Sequence, residues 1–211
     1  MLQCHTVPTD VELLNRWVAG DGNAGNQLFQ RHFDAICGFF ETKVDRDVEE
    51  LVQATFMACV QSIGSFQQKS SFRTFLFSIA RHKLFRYYRD KRRNGNRLDF
   101  QVTSMAQLCS GPRTQLGKQQ DRTHLLQALT SLPLDQQILL ELYYWEGLQG
   151  NELSEILEIA PGTVRSRLHR ARLALRERVA ELTRNPQFQT LSVEDLDGWA
   201  RALREKRQHA G

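Results

Sequence analysis

Apolar residues recur at helical spacing along most of this chain, and nowhere do they alternate long enough to mark a strand. Thr9-Asp-Val-Glu12 has the form of a capping box, and Val11, Leu14, Trp17 and Val18 continue it as a short helix. The glycines between Gly20 and Gly25 break that pattern. Leu28, Phe29, Phe33, Ile36, Phe39 and Phe40 then mark a second helix. A third is expected to start near Asp45 to Asp47, whose carboxylates suit a helix N-terminus; Val48, Leu51, Val52, Thr55 and Phe56 form its apolar face. A fourth runs from Ser70 to Arg93.

From Asn94 to about Gln120 the periodicity dissolves among glycines, Pro112 and polar residues, as in a linker. It returns at Leu125, Leu126 and Leu129. Pro133 is placed to open the next helix, which Gly147 closes. Two more helices are predicted, over Leu148 to Leu157 and Gly162 to Leu182. A last amphipathic helix in the tail has Ser192 as its cap. The pattern predicts an all-α protein: two small helical domains joined by a flexible linker.

The 211 residues, 41% hydrophobic and 25% charged, suffice for real cores in one or two domains. The N-terminus has neither a basic start nor an apolar run, so no secretory signal is expected. No apolar stretch reaches the eighteen or so residues of a membrane span, so no membrane insertion is expected. Cys4, Cys37, Cys59 and Cys109 are far apart and read as free thiols in a reducing cytosol. The histidines show no metal-ligand spacing; neither a metal site nor a cofactor is expected.

Charge changes the picture more than composition does. The net charge is only +4, yet eight Lys or Arg between Arg81 and Arg97 face Asp90 alone. Six Arg between Thr163 and Arg178 face only Glu177, whereas five acids crowd Glu41 to Glu50. Two basic stripes and one acidic one point to two nucleic-acid contacts and a basic protein partner, although each run taken singly also fits a solvated face.

In NELSEILEIAPGTVRSRLHRARLALRERV a short helix, a tight turn at Glu158 to Pro161 and an arginine-rich helix have the layout of a helix-turn-helix. At 100° per residue, Val164, Leu168, Ala171 and Leu175 share a narrow apolar arc. Thr163, Ser166, Arg167 and Arg170 fall on one outward arc, and Arg165, His169, Arg172 and Arg176 on another. Such a helix suits a major groove, with base edges near its start and phosphates along its arginines. With the preceding LPLDQQILLELYYWEGLQGNELSEIL, the segment resembles region 4 of bacterial sigma factors of the extracytoplasmic-function (ECF) type. The resemblance implies that this helix reads the minus-thirty-five promoter element, with Arg165, Ser166, His169 and Arg170 as base and phosphate contacts. Many relatives have Gly where this chain has Glu158.

In SSFRTFLFSIARHKLFRYYRDKRR, Phe72, Phe75, Leu76, Ile79 and Ala80 form the packing arc, extended by Phe77, Leu84 and Tyr87. Thr74, Ser78, Arg81, His82, Phe85 and Arg89 lie opposite. Guanidinium groups bind phosphates and an exposed ring stacks on an unpaired base, a combination suited to single-stranded or melting DNA. With DVEELVQATFMACVQSIGSFQQK before it, the stretch is similar to sigma region 2, which binds core RNA polymerase and melts the minus-ten element. The resemblance implies that the loop Phe66, Gln67, Gln68, Lys69 and Ser70, with Ser65 before it, captures a flipped base, and that Asp47, Glu49, Glu50 and Gln53 bind core polymerase. Gln68 stands where Gly is frequent, and Phe75 where Trp is. The first departure bears on loop geometry, the second on packing.

These resemblances divide the chain into a region 2-like domain over 1–93, a linker over 94–121, a region 4-like domain over 122–182 and an extension over 183–211. Regions one and three of primary sigma factors have no counterpart. The expected protein is an alternative sigma factor whose partners are core RNA polymerase and promoter DNA, in a family often held inactive by an anti-sigma factor. A stand-alone helix-turn-helix regulator would leave the acidic helix and the Phe66 and Phe85 surface without a task. A nucleic-acid enzyme would need paired carboxylates or a nucleophile with its base, and no catalytic residue is identified.

Overall fold

The structure, a computed structural model, describes residues 7–93 and 124–183. The predicted linker, the tail helix capped by Ser192, Cys4 and Cys109 lie outside the described residues. Those described form helices and turns and no strand. In chain order the helices are α1 (Asp10–Val18), α2 (Gly22–Glu41), α3 (Val48–Ser62), α4 (Phe72–Arg93), α5 (124–130), α6 (Leu134–Tyr144), α7 (Gly150–Leu157) and α8 (Pro161–Thr183). A 3-10 turn, Ile63–Ser65, follows α3. The helices divide into two compact units, one built on α1 to α4 and the other on α5 to α8.

In the first unit the capping box is present: the Glu12 amide donates to Thr9 Oγ1 at 3.3 Å, and the Thr9 amide donates back to Glu12 Oε2 at 2.7 Å. The buried face of α1 is Leu13 and Leu14, with Trp17 half-buried. Val11 and Val18, expected on the packing face, stay exposed, because a nine-residue helix lies on its neighbours with only a narrow stripe. The glycine stretch does not merely interrupt the chain. Asp21 Oδ1 accepts the amides of Asn23 and Ala24, and α2 begins inside the stretch at Gly22. Gly25 faces the Trp17 indole so closely that a Cβ there would lie 2.8 Å from its ring.

Trp17 contacts Phe29 edge-on at 5.2 Å and Phe72 at 6.4 Å, while Phe39 meets Phe77 at 5.7 Å. These rings seat α1 and α4 on α2. Leu28, Ile36, Phe40, Leu51, Val52, Cys59, Leu76, Ala80 and Leu84 complete the core. Thr74, predicted on the outward arc of α4, is fully buried, and its Oγ1 pairs with Ser71 Oγ at 2.8 Å. That local bond satisfies the hydroxyl, so the helix can turn this residue inward. A polar tie joins α1 to α2: Arg31 donates to Asp10, and His32 Nε2 lies 2.7 Å from Asp10 Oδ2. Burial holds the His32 imidazole below its ordinary 6.5, against the opposing pull of Asp10. The positive charges of Arg73 and Arg31 add to that lowering.

The second unit has a core of Leu125, Ala128, Leu129, Leu132, Leu140, Tyr144, Ala171, Leu175 and Val179. Pro133, predicted as the first helical residue, instead stands at the N-cap of α6, one residue before its start at Leu134, and its carbonyl accepts the amide of Gln137 at 3.0 Å. Gly147, which turns the chain toward α7, has φ +65°, a conformation that glycine adopts without strain.

Candidate nucleic-acid interfaces

Helix α7 ends at Glu158, whose φ of +55° is left-handed. The Ile159 amide donates to the Ser154 carbonyl at 3.1 Å, and Ser154 Oγ donates to the Ile159 carbonyl at 2.5 Å, closing the helix end. Two residues later the Thr163 and Val164 amides donate to the Ala160 carbonyl and α8 begins. The arc Val164, Ala171, Leu175 and Val179 is buried, with Leu168 half-buried against the same core. Packing on that arc leaves Arg165, Ser166, Arg167, His169 and Arg170 exposed and Thr163 half-buried. Ser166 Oγ donates back to the Thr163 carbonyl at 3.1 Å, and Arg170 Nε to the Ser166 carbonyl at 3.4 Å. One unbroken helix thus displays these groups on a single rigid support.

Arg172 differs from the other arginines expected there. It is half-buried, its guanidinium lies 4.8 Å over the Tyr143 ring, and its Nε donates to the Tyr144 hydroxyl at 3.0 Å. It fastens α8 to α6. The helical projection places it beside Arg165 and His169, but the tyrosines of α6 reach it and not them.

In the first unit, the connection after the 3-10 turn projects Gln67, Gln68 and Lys69 into solvent, with Phe66 and Ser70 half-buried. Phe66 stacks on Phe75 at 4.4 Å, so the two rings expected in separate roles form one aromatic step at the base of the loop. Gln68 has φ +52°, and its Nε2 donates to Asn15 Oδ1 of α1 at 2.8 Å. Further along α4 the Arg81 guanidinium covers the Phe85 ring at 4.8 Å, and Arg89 is exposed.

At the start of α3, Asp47 is left-handed with φ +67°. Its carboxylate does not cap the helix; Oδ2 accepts the Tyr87 hydroxyl of α4 at 2.9 Å. Glu49, Glu50 and Gln53 are exposed. Met57 and Val60 continue their face at helical spacing and are 54% and 50% exposed. Phe33 of α2, stacked on Phe56, is 48% exposed. This apolar strip beside the acids was not singled out from the sequence, since apolar residues at helical spacing read as core until burial is known.

Among the described residues no three His, Cys, Asp or Glu side chains gather as metal ligands, and no helix is long and apolar enough to cross a membrane. Burial pushes the Cys59 thiol up to about 12, which keeps it from acting as a nucleophile.

A helix-turn-helix with an exposed arginine face in one unit and a basic-aromatic surface in the other form the pattern of a nucleic-acid-binding protein. Sigma-70 region 2 matches residues 28–94 and Sigma-70 region 4 matches residues 122–175. The chain is 28% identical over 183 residues to the ECF RNA polymerase sigma-E factor of Haemophilus influenzae, covering 82% of this chain and 97% of that protein. It is 29% identical over 185 residues to the sigma-E factor of Escherichia coli, covering 83% and 97%. In fold it is similar to CnrH, solved in complex with the cytosolic domain of CnrY (TM-score 0.59, 24% identity, 79% of this chain and 94% of that one). It is likewise similar to the sigma factor RpoE of Bartonella quintana, solved with the anti-sigma factor NepR (TM-score 0.58, 24% identity, 73% and 95%). The chain belongs to the bacterial sigma factors of the ECF type. It is an alternative sigma factor that directs promoter-specific transcription by RNA polymerase.

Proposed function

We propose that the two units divide promoter recognition as the family resemblance implies. The observation that carries this reading is the outward face of α8, where Arg165, Ser166, Arg167, His169 and Arg170 are exposed while Val164, Ala171 and Leu175 hold the helix from behind. This face enters the major groove of the minus-thirty-five element, with Thr163 at its N-terminal edge. Arg172 serves it indirectly by fixing the helix to Tyr144.

The first unit reads and melts the minus-ten element. The loop Phe66 to Ser70 receives the extruded base, the Phe66–Phe75 step supplies a stacking surface, and Arg81, Phe85 and Arg89 hold the separated strand. Core polymerase docks on Glu49, Glu50 and Gln53, and Met57, Val60 and Phe33 extend that face with apolar area. Asp47 joins it from the helix start while holding Tyr87.

Residues 1–93 and 122–182 act as the two DNA-reading domains, 94–121 as their linker and 183–211 as an extension. The protein has no catalytic activity of its own, and the chemistry of RNA synthesis belongs to the polymerase. It works in the cytoplasm and is restrained by an anti-sigma factor; its neighbours in fold were solved with such partners or with a cytosolic domain.

The test is transcription in vitro with core polymerase and fragmented genomic DNA. Discrete starts sharing two spaced upstream motifs, lost without this protein, are expected. With Arg165→Ala, starts should lose their dependence on the upstream motif; unchanged motif use would overturn the assignment of α8.

A further inference from the structure

The amide pair Asn15–Gln68 joins two segments 53 residues apart. Both are exposed, so the pair buries no core. Gln68 occupies the middle of the loop between the 3-10 turn and α4. At its near end Ser65 Oγ donates to the Ser62 carbonyl and the Phe66 amide to the Ile63 carbonyl; at its far end the Thr74 amide donates to Ser71 Oγ. These bonds are local to each end. The side chain of Gln68 instead reaches α1, which is firmly held by buried Leu13 and Leu14, by Asp10 on Arg31 and His32, and by the Trp17 rings.

We propose that Asn15 is a positioning residue for base selection at the minus-ten element, acting through Gln68. The inference rests on the reading of Phe66 to Ser70 as the base-capturing loop. The Gln68 amide has two N–H groups and a carbonyl oxygen, and the bond to Asn15 engages one N–H and so fixes the direction in which the other N–H and Oε1 point. Gln68 therefore shapes the loop and offers its remaining amide groups in an orientation that Asn15 sets, beside Gln67, Lys69 and the loop backbone. Its left-handed φ of +52° is part of the same arrangement: the backbone conformation sends the side chain toward α1, and the hydrogen bond holds it there. Helix α1 thereby acquires a function in DNA reading without touching DNA.

The experiment uses the full chain bound to core polymerase and a pool of single-stranded DNA oligonucleotides randomised in sequence, with the retained molecules sequenced. One neutral hydrogen bond corresponds to roughly a three- to tenfold effect. Asn15→Ala is expected to weaken the preference at the captured position by about that factor, leaving core binding unchanged. Asn15→Asp keeps the acceptor oxygen and should preserve the preference. An unchanged base profile in Asn15→Ala would overturn the inference. Replacing Phe66 to Lys69 by Gly and Ser tests the underlying reading separately. Loss of selection there, with Asn15→Ala unaffected, removes only the role of Asn15. Selection that survives the loop replacement removes the base-capture reading itself.

Discussion

Arg172 Nε donates to the Tyr144 hydroxyl at 3.0 Å, joining the middle of α8 to the end of α6. With the Tyr143 ring beneath the guanidinium, this arginine is a structural fastener on a helix whose Arg165, Arg167 and Arg170 are exposed. Arg172→Ala is expected to destabilise the C-terminal unit by about 1–3 kcal/mol, combining a hydrogen bond with a cation–π contact. Arg165→Ala should leave stability within about 0.5 kcal/mol and lower promoter affinity. Urea unfolding of both variants, followed by holoenzyme binding to promoter DNA, separates the two roles. Equal stabilities would refute the fastener.

Glu158 has φ +55°, where an L-residue is strained by roughly 1–2 kcal/mol and glycine is not. Glycine costs part of that back through the greater freedom of the unfolded chain. Glu158→Gly is therefore expected to stabilise the C-terminal unit by up to about 1 kcal/mol, read as a higher urea midpoint. Gln68→Gly relieves the same kind of strain at φ +52° but loses the bond to Asn15, so its gain should be smaller.

The Asp10–His32 pair makes the first unit sensitive to acid. Burial keeps His32 below its ordinary 6.5, so the folded protein binds fewer protons there than the unfolded chain. Stability is present above 6.5 and falls as the pH drops below it. Burial of Asp10 opposes its ionisation, but Arg31 and His32 outweigh that and hold its carboxyl below 3.8, adding a second loss in stronger acid. Thermal unfolding between about pH 7.5 and pH 5.5 should show the first decline, and His32→Gln should flatten it. A His32→Gln profile as steep as the unsubstituted one would assign the decline to another group.

Gly25 lies under the Trp17 indole, where a Cβ would come within 2.8 Å of ring atoms. Gly25→Ala must push the indole away from Phe29 and Phe72, and is expected to cost about 1–3 kcal/mol. Tryptophan fluorescence in a Trp145→Phe, Trp199→Phe background reports the displacement. Gly22, which has open space around its Cβ position, should accept alanine with an unchanged fluorescence spectrum.

Much of this protein was legible in the sequence because local rules govern it. The Thr9 cap, the Pro133 start and the apolar arc Val164, Ala171 and Leu175 each depend on residues within a turn or two, and helical periodicity reports them directly. The arginine face of α8 follows from the same arithmetic: once one arc is apolar, the remainder must face outward. The charge stripes likewise needed only counting.

Tertiary structure alone decided which of those outward positions are engaged by another element. Periodicity assigns Arg172 and Arg165 to one face, yet only Arg172 meets the α6 tyrosines; Thr74 projects outward on the wheel, yet Ser71 satisfies its hydroxyl inside the fold. Phe66 meets Phe75, Tyr87 meets Asp47 across 40 residues, and Gln68 meets Asn15 across 53. The exposure of Phe33, Met57 and Val60 belongs to the same category. A helical wheel specifies direction about one axis. Which side chains meet depends on how separate axes cross, and that is set by the packing of whole helices rather than by any one segment.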